Sequence, residues 1–113
     1  MPGISIHVVD VSRGVVAVGM RVELFRGAEL LSAGATSARG LLEDKNLEGR
    51  LSPATYRAVF HVADYYRKEG IPLPARPFLD VVGYDFGIDN PDQHYHLPFK
   101  CTPWGYSCFR GGA

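Results

Sequence analysis

The residues best suited to chemistry are histidines, and two of them lie in the C-terminal stretch HYHLPFKCTPWGYSCFRGGA. His94 and His96 are two residues apart in a strand-like run, so both rings should leave the same face of a sheet. His7 lies in the alternating segment ISIHVVDV, on the face opposite Ile4 and Ile6. Three imidazoles on one surface can bind a metal ion, move a proton near neutral pH, or simply pack and hydrogen-bond. No carboxylate ligand is evident beside them, which favours proton transfer over metal binding.

Other catalytic motifs are absent from the sequence. There is no glycine-rich phosphate loop, no Gly-x-Ser-x-Gly elbow and no Cys-x-x-Cys pair. Ser107 and Cys108 are possible nucleophiles, but nothing nearby marks either as activated. The C-terminal aromatic residues have only Lys100 and Arg110 beside them, which is too little positive charge for a single-strand nucleic-acid surface.

The elements that must position the histidines are predicted to be β-strands. A chain of 113 residues, 46% of them hydrophobic, has the size of one domain, residues 1–113. Short apolar-polar alternations separated by Gly, Pro, Asn and Asp predict an all-β sandwich or barrel of seven or eight strands. In RVELF, Val22 and Leu24 should point inward, and ATYRAVFHV is another strand. The segment ADYYRKEGIPLP is the one predicted helix, and it should end at Gly70.

Charge and hydropathy limit the partners. Twelve basic residues balance twelve acidic ones, so no overall field attracts nucleic acid or an anionic membrane. No apolar run approaches the roughly 20 residues that cross a bilayer, and the start MPGISIHVVD has no secretion leader, so we expect a cytoplasmic protein. Cys101 and Cys108 are accordingly expected to be reduced, packed thiols.

Three segments together resemble the transthyretin-related proteins, and specifically the 5-hydroxyisourate hydrolases. They are ISIHVVDVSRGVVAVGMRVELF, TYRAVFHVADYYRKEG and HYHLPFKCTPWGYSCFRGG, and they are distributed over nearly the whole length of the chain, from residue 4 to residue 112. The His-Val-x-Asp, His-Tyr-His-x-Pro and Gly-Tyr-Ser-x-aromatic-Arg-Gly motifs carry the resemblance.

This resemblance implies a transthyretin-like two-sheet sandwich of seven or eight strands with one short helix. It implies a homotetramer, a dimer of dimers, with active sites in the channel between dimers and the C-terminal strand lining them. The implied reaction is the addition of water to an oxidised purine, 5-hydroxyisourate, which opens its ring without metal or cofactor.

The resemblance also assigns the site residues. His7 and His96 correspond to the family's proton-transfer pair, and either can be the general base. The terminal Tyr-Arg-Gly-Ser of the family corresponds to Phe109, Arg110, Gly111 and Gly112, so two hydroxyls are missing. We expect Arg110 to hold a carbonyl oxygen or the developing oxyanion.

A third departure lies in TSARGL, from Thr36 to Leu41. The family's Thr-x-x-Asp-Gly-Arg ends in an arginine that contacts substrate, whereas Leu41 offers only apolar surface. Three interpretations follow. In the first, the site hydrolyses an N-methylated hydroxyisourate, of the kind made when methylxanthines such as caffeine are oxidised at carbon 8. In the second, the chain is an ordinary 5-hydroxyisourate hydrolase in which Arg39 or Arg50 replaces the missing guanidinium. In the third, it is a non-enzymatic transthyretin-like carrier of an apolar ligand.

Overall fold

The computed structural model describes residues 2–112 of the chain. They form eight β-strands, one α-helix and one short 3₁₀ turn. The prediction of an all-β sandwich with a single short helix is therefore confirmed. The strands are β1 (Gly3–Asp10), β2 (Val15–Val16), β3 (Arg21–Arg26), β4 (Glu29–Ala35), β5 (Ala54–His61), β6 (Val81–Ile88), β7 (His94–Thr102) and β8 (Gly105–Cys108), the helix is α1 (Val62–Lys68), and the 3₁₀ turn is Lys45–Leu47.

The strands form two four-stranded sheets. Sheet I has the order β2-β1-β7-β8, and sheet II has the order β4-β3-β5-β6. All neighbouring strands are antiparallel except β1 and β7, which run parallel at the centre of sheet I. The first and seventh strands are thus hydrogen-bonded neighbours, and this pairing places the two histidine-bearing segments side by side.

The inner faces of the two sheets form the core. Ile4, Ile6 and Val8 alternate along β1 and are buried, so the predicted orientation of this strand is confirmed. Phe99 of sheet I stacks on Phe60 of sheet II, with 3.8 Å between ring centroids. Because Ile4, Ile6 and Val8 fill the inner face of β1, the alternating residues Ser5 and His7 are directed to the outer face.

Helix α1 differs in its limits from the predicted segment. Strand β5 ends at His61, and the helix begins at Val62, which the sequence pattern had assigned to the strand. The amides of Val62 and Ala63 both donate to the carbonyl of Asp80, which ends the strand ladder. The helix ends at Lys68, and Gly70 follows in a left-handed conformation with φ of 77°. No helix in the described chain has the length and apolar character needed to cross a lipid bilayer.

A buried carboxylate anchors this helix to β1. Asp10 is fully buried and accepts hydrogen bonds from Ser12, Arg13, Tyr65 and Tyr66, both tyrosines belonging to α1. Burial alone would raise the pKa of Asp10, but these four donors together lower it below its ordinary value. The end of β1 is therefore fixed by a fully satisfied ionic cluster.

Candidate active site

The two predicted proton-transfer histidines lie on the outer face of sheet I. In the parallel register of β1 and β7, Ser5 is paired with His96 and His7 is paired with Pro98. His7 and His96 are therefore diagonal neighbours on the same face, about 8 Å apart between Cα atoms as the spacing and rise of adjacent strands dictate. Both rings are partly buried. The structure thus brings together two imidazoles that are distant in the sequence.

Ser5 links His96 to a third imidazole. Its Oγ lies 2.6 Å from Nδ1 of His96 and 2.8 Å from Nε2 of His94. The two rings share this single hydroxyl, so Nδ1 of His96 and Nε2 of His94 each already have a hydrogen-bond partner. Among residues 2–112, no cluster of three or more ligand-type side chains has the arrangement of a metal site.

His96 is favoured in its neutral form. Burial lowers its pKa below the ordinary value, and the nearby imidazoles of His7 and His94 lower it further because a second positive charge would be repelled. A neutral imidazole with an available ring nitrogen can accept a proton from water at neutral pH.

The loop before residue 42 places Leu41 directly beside His7. The two residues form a bridge outside the regular strands, with Val8 N donating to Gly40 O (2.8 Å) and Leu42 N donating to Ile6 O (3.2 Å). Cβ atoms in such a pair are about 5 Å apart. Gly40 is required here because its φ is +74° and a Cβ would lie 2.7 Å from Val8 O.

A groove of about 280 Å³ lies beside β1. Ser5, Arg39, Leu41 and Glu43 contribute to its lining. The histidines do not line it themselves, but Ser5 is hydrogen-bonded to His96 and Leu41 is bridged to His7. Arg39 is exposed at this groove and forms an ion pair with Glu43, with 3.0 Å between Nη2 and Oε2. Its guanidinium is thus paired with another residue that lines the groove.

The other predicted arginines contact groups other than the imidazole rings. Arg50 forms an exposed ion pair with Asp92. Arg110 lies over the Tyr95 ring, 4.2 Å from its centroid, and Nη2 donates to the carbonyl of His94 at 3.2 Å. Its predicted role, holding an oxygen of the substrate, is not tested by these contacts and stays a prediction.

The C-terminal residues complete one side of the site. The Gly111 amide donates to the His96 carbonyl at 2.7 Å, and a Cβ on Gly111 would lie 2.8 Å from Cδ2 of the His96 ring. Phe109 is half-exposed, with Nζ of Lys100 5.7 Å from its ring centroid, and Gly112 is exposed. The tail thus packs its backbone, rather than a side chain, against His96.

Comparison with known proteins identifies the family. The profile of the HIUase/transthyretin family matches residues 4–111. The chain belongs to the HIUase/transthyretin family. It is 39% identical to the 5-hydroxyisourate hydrolase of Deinococcus radiodurans, over 97% of this chain and 96% of that protein. It is 36% identical to 5-hydroxyisourate hydrolase 2 of Rhizobium meliloti, over 96% and 94%.

Solved structures of the HIUase/transthyretin fold agree with this assignment. The crystal structure of (S)-allantoin synthase superposes with a TM-score of 0.90 at 35% identity, over 97% of this chain but only 43% of that chain. The structure of Klebsiella pneumoniae 5-hydroxyisourate hydrolase superposes with a TM-score of 0.83 at 28% identity, over 99% of this chain and 100% of that one. The family resemblance predicted from the three sequence segments is confirmed.

In this HIUase/transthyretin chain, sequence reasoning overlooked two residues of the site. Ser5 is bonded to both C-terminal histidines, and its one sequence signal is the spacing of two residues from His7, which places both on one strand face. Gly40 sets the register of Leu41, and a glycine in a turn-rich loop carries no signal of that role.

Proposed function

We propose that this chain is a cofactor-independent hydrolase that opens the ring of a hydroxyisourate-type oxidised purine. Two observations support the proposal. His7 and His96 lie on one surface beside a groove large enough to begin a small-molecule site. Relatives that match almost the whole chain carry the name 5-hydroxyisourate hydrolase.

The proposed reaction needs only water and two imidazoles. His96 or His7 removes a proton from water, and the water oxygen forms a bond to the ring carbonyl carbon. The bond from that carbon to the adjacent nitrogen then breaks, and the other histidine orients the substrate or protonates the departing nitrogen. The lowered pKa of His96 supports a role as base, since the ring stays neutral at pH 7.

Arg110 is proposed to stabilise the oxygen that becomes negative during attack. Its present hydrogen bonds, to Gln93 Oε1 at 3.3 Å and to the carbonyl of His94 at 3.2 Å, are long and exposed. These bonds and the cation–π contact with Tyr95 involve an exposed side chain and are individually weak, so a bound ligand that offers a charged partner can compensate for their loss and turn the guanidinium towards itself.

We propose further that the preferred substrate is N-methylated. The observation that carries this proposal is the position of Leu41, whose side chain lies beside His7 where the family resemblance expects an arginine. Without that guanidinium an unmethylated substrate loses a charged hydrogen bond, at a cost of about 1.5–3 kcal/mol. Burying one methyl group on leucine returns ~0.8 kcal/mol. Phe109 and Gly112 stand where the family resemblance expects Tyr and Ser. The tail is therefore less polar than the family pattern, and at Gly112 it is also smaller.

Substrate preference tests this proposal directly. Trimethylurate and urate, each oxidised immediately before mixing, should be followed by loss of ultraviolet absorbance on addition of the protein. We expect a kcat/KM at least tenfold higher for the trimethylated compound, which corresponds to about 1.4 kcal/mol. Equal or reversed values would remove the methylated-substrate proposal while leaving the hydrolase proposal intact. Binding without turnover of either compound would favour the carrier interpretation.

Arg39 supports one alternative, an ordinary 5-hydroxyisourate hydrolase. Its guanidinium lines the same groove as Leu41, and its ion pair with Glu43 is exposed and therefore weak. If substrate displaces Glu43, Arg39 supplies the missing charge. Arg39→Ala should then reduce turnover of the unmethylated compound at least tenfold, whereas under the methylated-substrate proposal the loss is small.

We also propose that the chain assembles as a tetramer in the cytoplasm. Strand β8 is an edge of sheet I, and Trp104, Tyr106 and Phe109 at or beside it expose large apolar surfaces. A second copy covering this edge would pair its backbone groups and bury those rings. Cys101 and Cys108 are free thiols, which fits a reducing compartment. Light scattering would test the mass in solution.

A further inference from the structure

We propose that Ser5 and His94 are positioning residues that fix the tautomer of His96 through a hydrogen-bond relay. The order is His96 Nδ1–H to Ser5 Oγ, and Ser5 O–H to His94 Nε2. This arrangement leaves Nε2 of His96 unprotonated and available to accept a proton from water. The inference rests on the proposed function, because it assigns the base to His96.

The geometry restricts how the protons are shared. Ser5 Oγ lies within hydrogen-bond distance of one nitrogen from each ring, at 2.6 Å for His96 and 2.8 Å for His94. A serine hydroxyl carries one proton and two acceptor lone pairs. Among the hydrogen bonds of residues 2–112, the hydroxyl has no third partner, so within the described chain only these two nitrogens can accept its proton. The tautomers of His94 and His96 are consequently coupled.

The relay lies on the same outer face of sheet I as the proposed base and contacts it through Nδ1 of His96, away from the nitrogen that would meet water. Ser5 is the register partner of His96 on β1, and His94 is two residues before His96 on β7. Nε2 of His94 and Nδ1 of His96 both bond to the Ser5 hydroxyl. On the other edge of the His96 ring, Gly111 packs close to Cδ2. The ring is therefore held from two sides, which limits the orientation from which Nε2 can meet a water molecule.

The relay also allows the ring to carry charge briefly. When His96 accepts a proton at Nε2, its Nδ1–H still donates to Ser5, and this hydrogen bond strengthens because the donor is now ionised. His94 keeps the hydroxyl proton directed away from His96, so the serine oxygen remains an acceptor for it.

A matched pair of substitutions at Ser5 isolates the hydroxyl. Thr and Val have nearly the same shape and both suit a strand, so Ser5→Thr and Ser5→Val differ in one hydrogen-bonding group. We expect the Val variant to have a kcat about 10- to 100-fold below that of the Thr variant, with KM within about threefold, because a misoriented base affects the chemical step rather than binding. His94→Phe should lower kcat by a smaller factor, since Ser5 still accepts from His96.

A second measurement reports the tautomer without turnover. Nitrogen-15 spectra of the imidazoles distinguish protonated from unprotonated ring nitrogens. We expect His96 to carry its proton on Nδ1 in the wild type and in Ser5→Thr, and to shift towards protonation on Nε2 in Ser5→Val. Thr55→Val serves as the control, because it replaces a strand hydroxyl on sheet II with a methyl group.

The outcomes separate the relay from the proposed function. A Thr to Val ratio of kcat near one, or a wild-type His96 protonated on Nε2, would overturn the relay even if the hydrolase activity is as proposed. Wild-type protein inactive on both hydroxyisourates would overturn the proposed function, and the nitrogen spectra alone would then decide whether the coupled tautomers exist. A kcat unchanged in His94→Phe would remove His94 from the relay.

Discussion

Strands β1 and β7 carry a polar cluster at each end, and the two clusters differ in how fully their hydrogen-bonding groups are paired. At one end the buried carboxylate of Asp10 accepts bonds from four side chains. At the other end Ser5, His7 and His96 are partly exposed, and one hydroxyl serves two rings. The group around Asp10 is therefore a saturated cluster, whereas Ser5, His7 and His96 form an open cluster that keeps ring nitrogens available.

The difference follows from the face on which each residue lies. His7 and Asp10 are three residues apart on β1 and therefore point to opposite faces. A polar group on the inner face must be fully paired because its desolvation is costly, and no buried side-chain nitrogen or oxygen in residues 2–112 lacks a partner. A polar group on the outer face has no such requirement, so it can keep donors or lone pairs without a protein partner, and these are the groups that catalysis uses.

The largest expected effect is on activity and comes from the open cluster. His96→Ala should reduce kcat for the preferred hydroxyisourate by about 10³-fold, since a positioned general base contributes 10²–10⁴-fold. The thermal midpoint should change little, because the ring is partly exposed and lies outside the core. His61→Ala is the matched control: it removes an imidazole that pairs with Glu23 on sheet II. Similar activity losses in both variants would contradict a specific role for His96.

The saturated cluster should control stability instead. Asp10→Ala leaves Arg13 and two buried tyrosines without their shared acceptor, and we expect the free energy of unfolding to fall by about 3 kcal/mol. Urea unfolding measures this change. Asp85→Ala, which breaks an exposed ion pair with Arg57, should cost less than about 1 kcal/mol. Activity per folded molecule should persist in Asp10→Ala, and its loss there would show that the two clusters are not independent.

The fold was largely predictable because the pattern that specifies it is local. The alternation of Ile4, Ile6 and Val8 predicts the buried face of β1, and the structure confirms it. The start of α1 was misplaced by one residue because Val62 fits the strand pattern. The strand ends where the amides of Val62 and Ala63 donate to the carbonyl of Asp80, which is distant in sequence. Long-range partners of this kind leave no trace in a periodicity.

The site was predictable only in part, for the same reason. Spacing placed His94 and His96 on one face, and strand alternation singled out His7 on the face opposite the aliphatic residues. Family resemblance then paired His7 with His96. None of these gives the parallel register that brings the three histidines together. The role of Ser5 depends on that register alone. The rotamer of Arg110 was also unpredictable, because it depends on the Tyr95 ring, which lies in β7 and is distant from Arg110 in sequence.

Specificity offers a smaller and sharper test of the open cluster. Leu41→Arg should restore a charged hydrogen bond for an unmethylated ring and remove apolar surface from a methylated one. We expect the ratio of kcat/KM values to move about 10- to 100-fold towards the unmethylated compound, the equivalent of roughly 1.5–3 kcal/mol. Leu41→Met, which keeps an apolar side chain, should leave the ratio within a few fold. An unchanged ratio in Leu41→Arg would place the specificity elsewhere in the groove.

Acid should affect the two clusters at different pH values. The pKa of His96 is lowered, so the unfolded chain binds a proton more readily, and stability should begin to fall as pH drops below the ordinary histidine pKa of 6.5. The pKa of Asp10 is also lowered, so its stabilisation is complete above the unfolded carboxyl value of about 4 and is lost as pH falls through the folded value. Urea unfolding across this range should show the first decline reduced in His96→Ala and the second reduced in Asp10→Asn. The reverse assignment would contradict this prediction.

The smallest effect should come from the tail that confines His96. A Cβ added at Gly111 would lie 2.8 Å from Cδ2 of His96 and 3.1 Å from Cδ of Pro98, so Gly111→Ala must displace the ring or the tail. Because the ring is also held by Ser5, we expect the tail to yield more than the ring and kcat to fall only a few fold. Gly105→Ala, where the added atom meets nothing within 4 Å, provides the control. A loss in Gly111→Ala as large as that in His96→Ala would mean that the tail, rather than the serine hydroxyl, fixes the orientation of the ring.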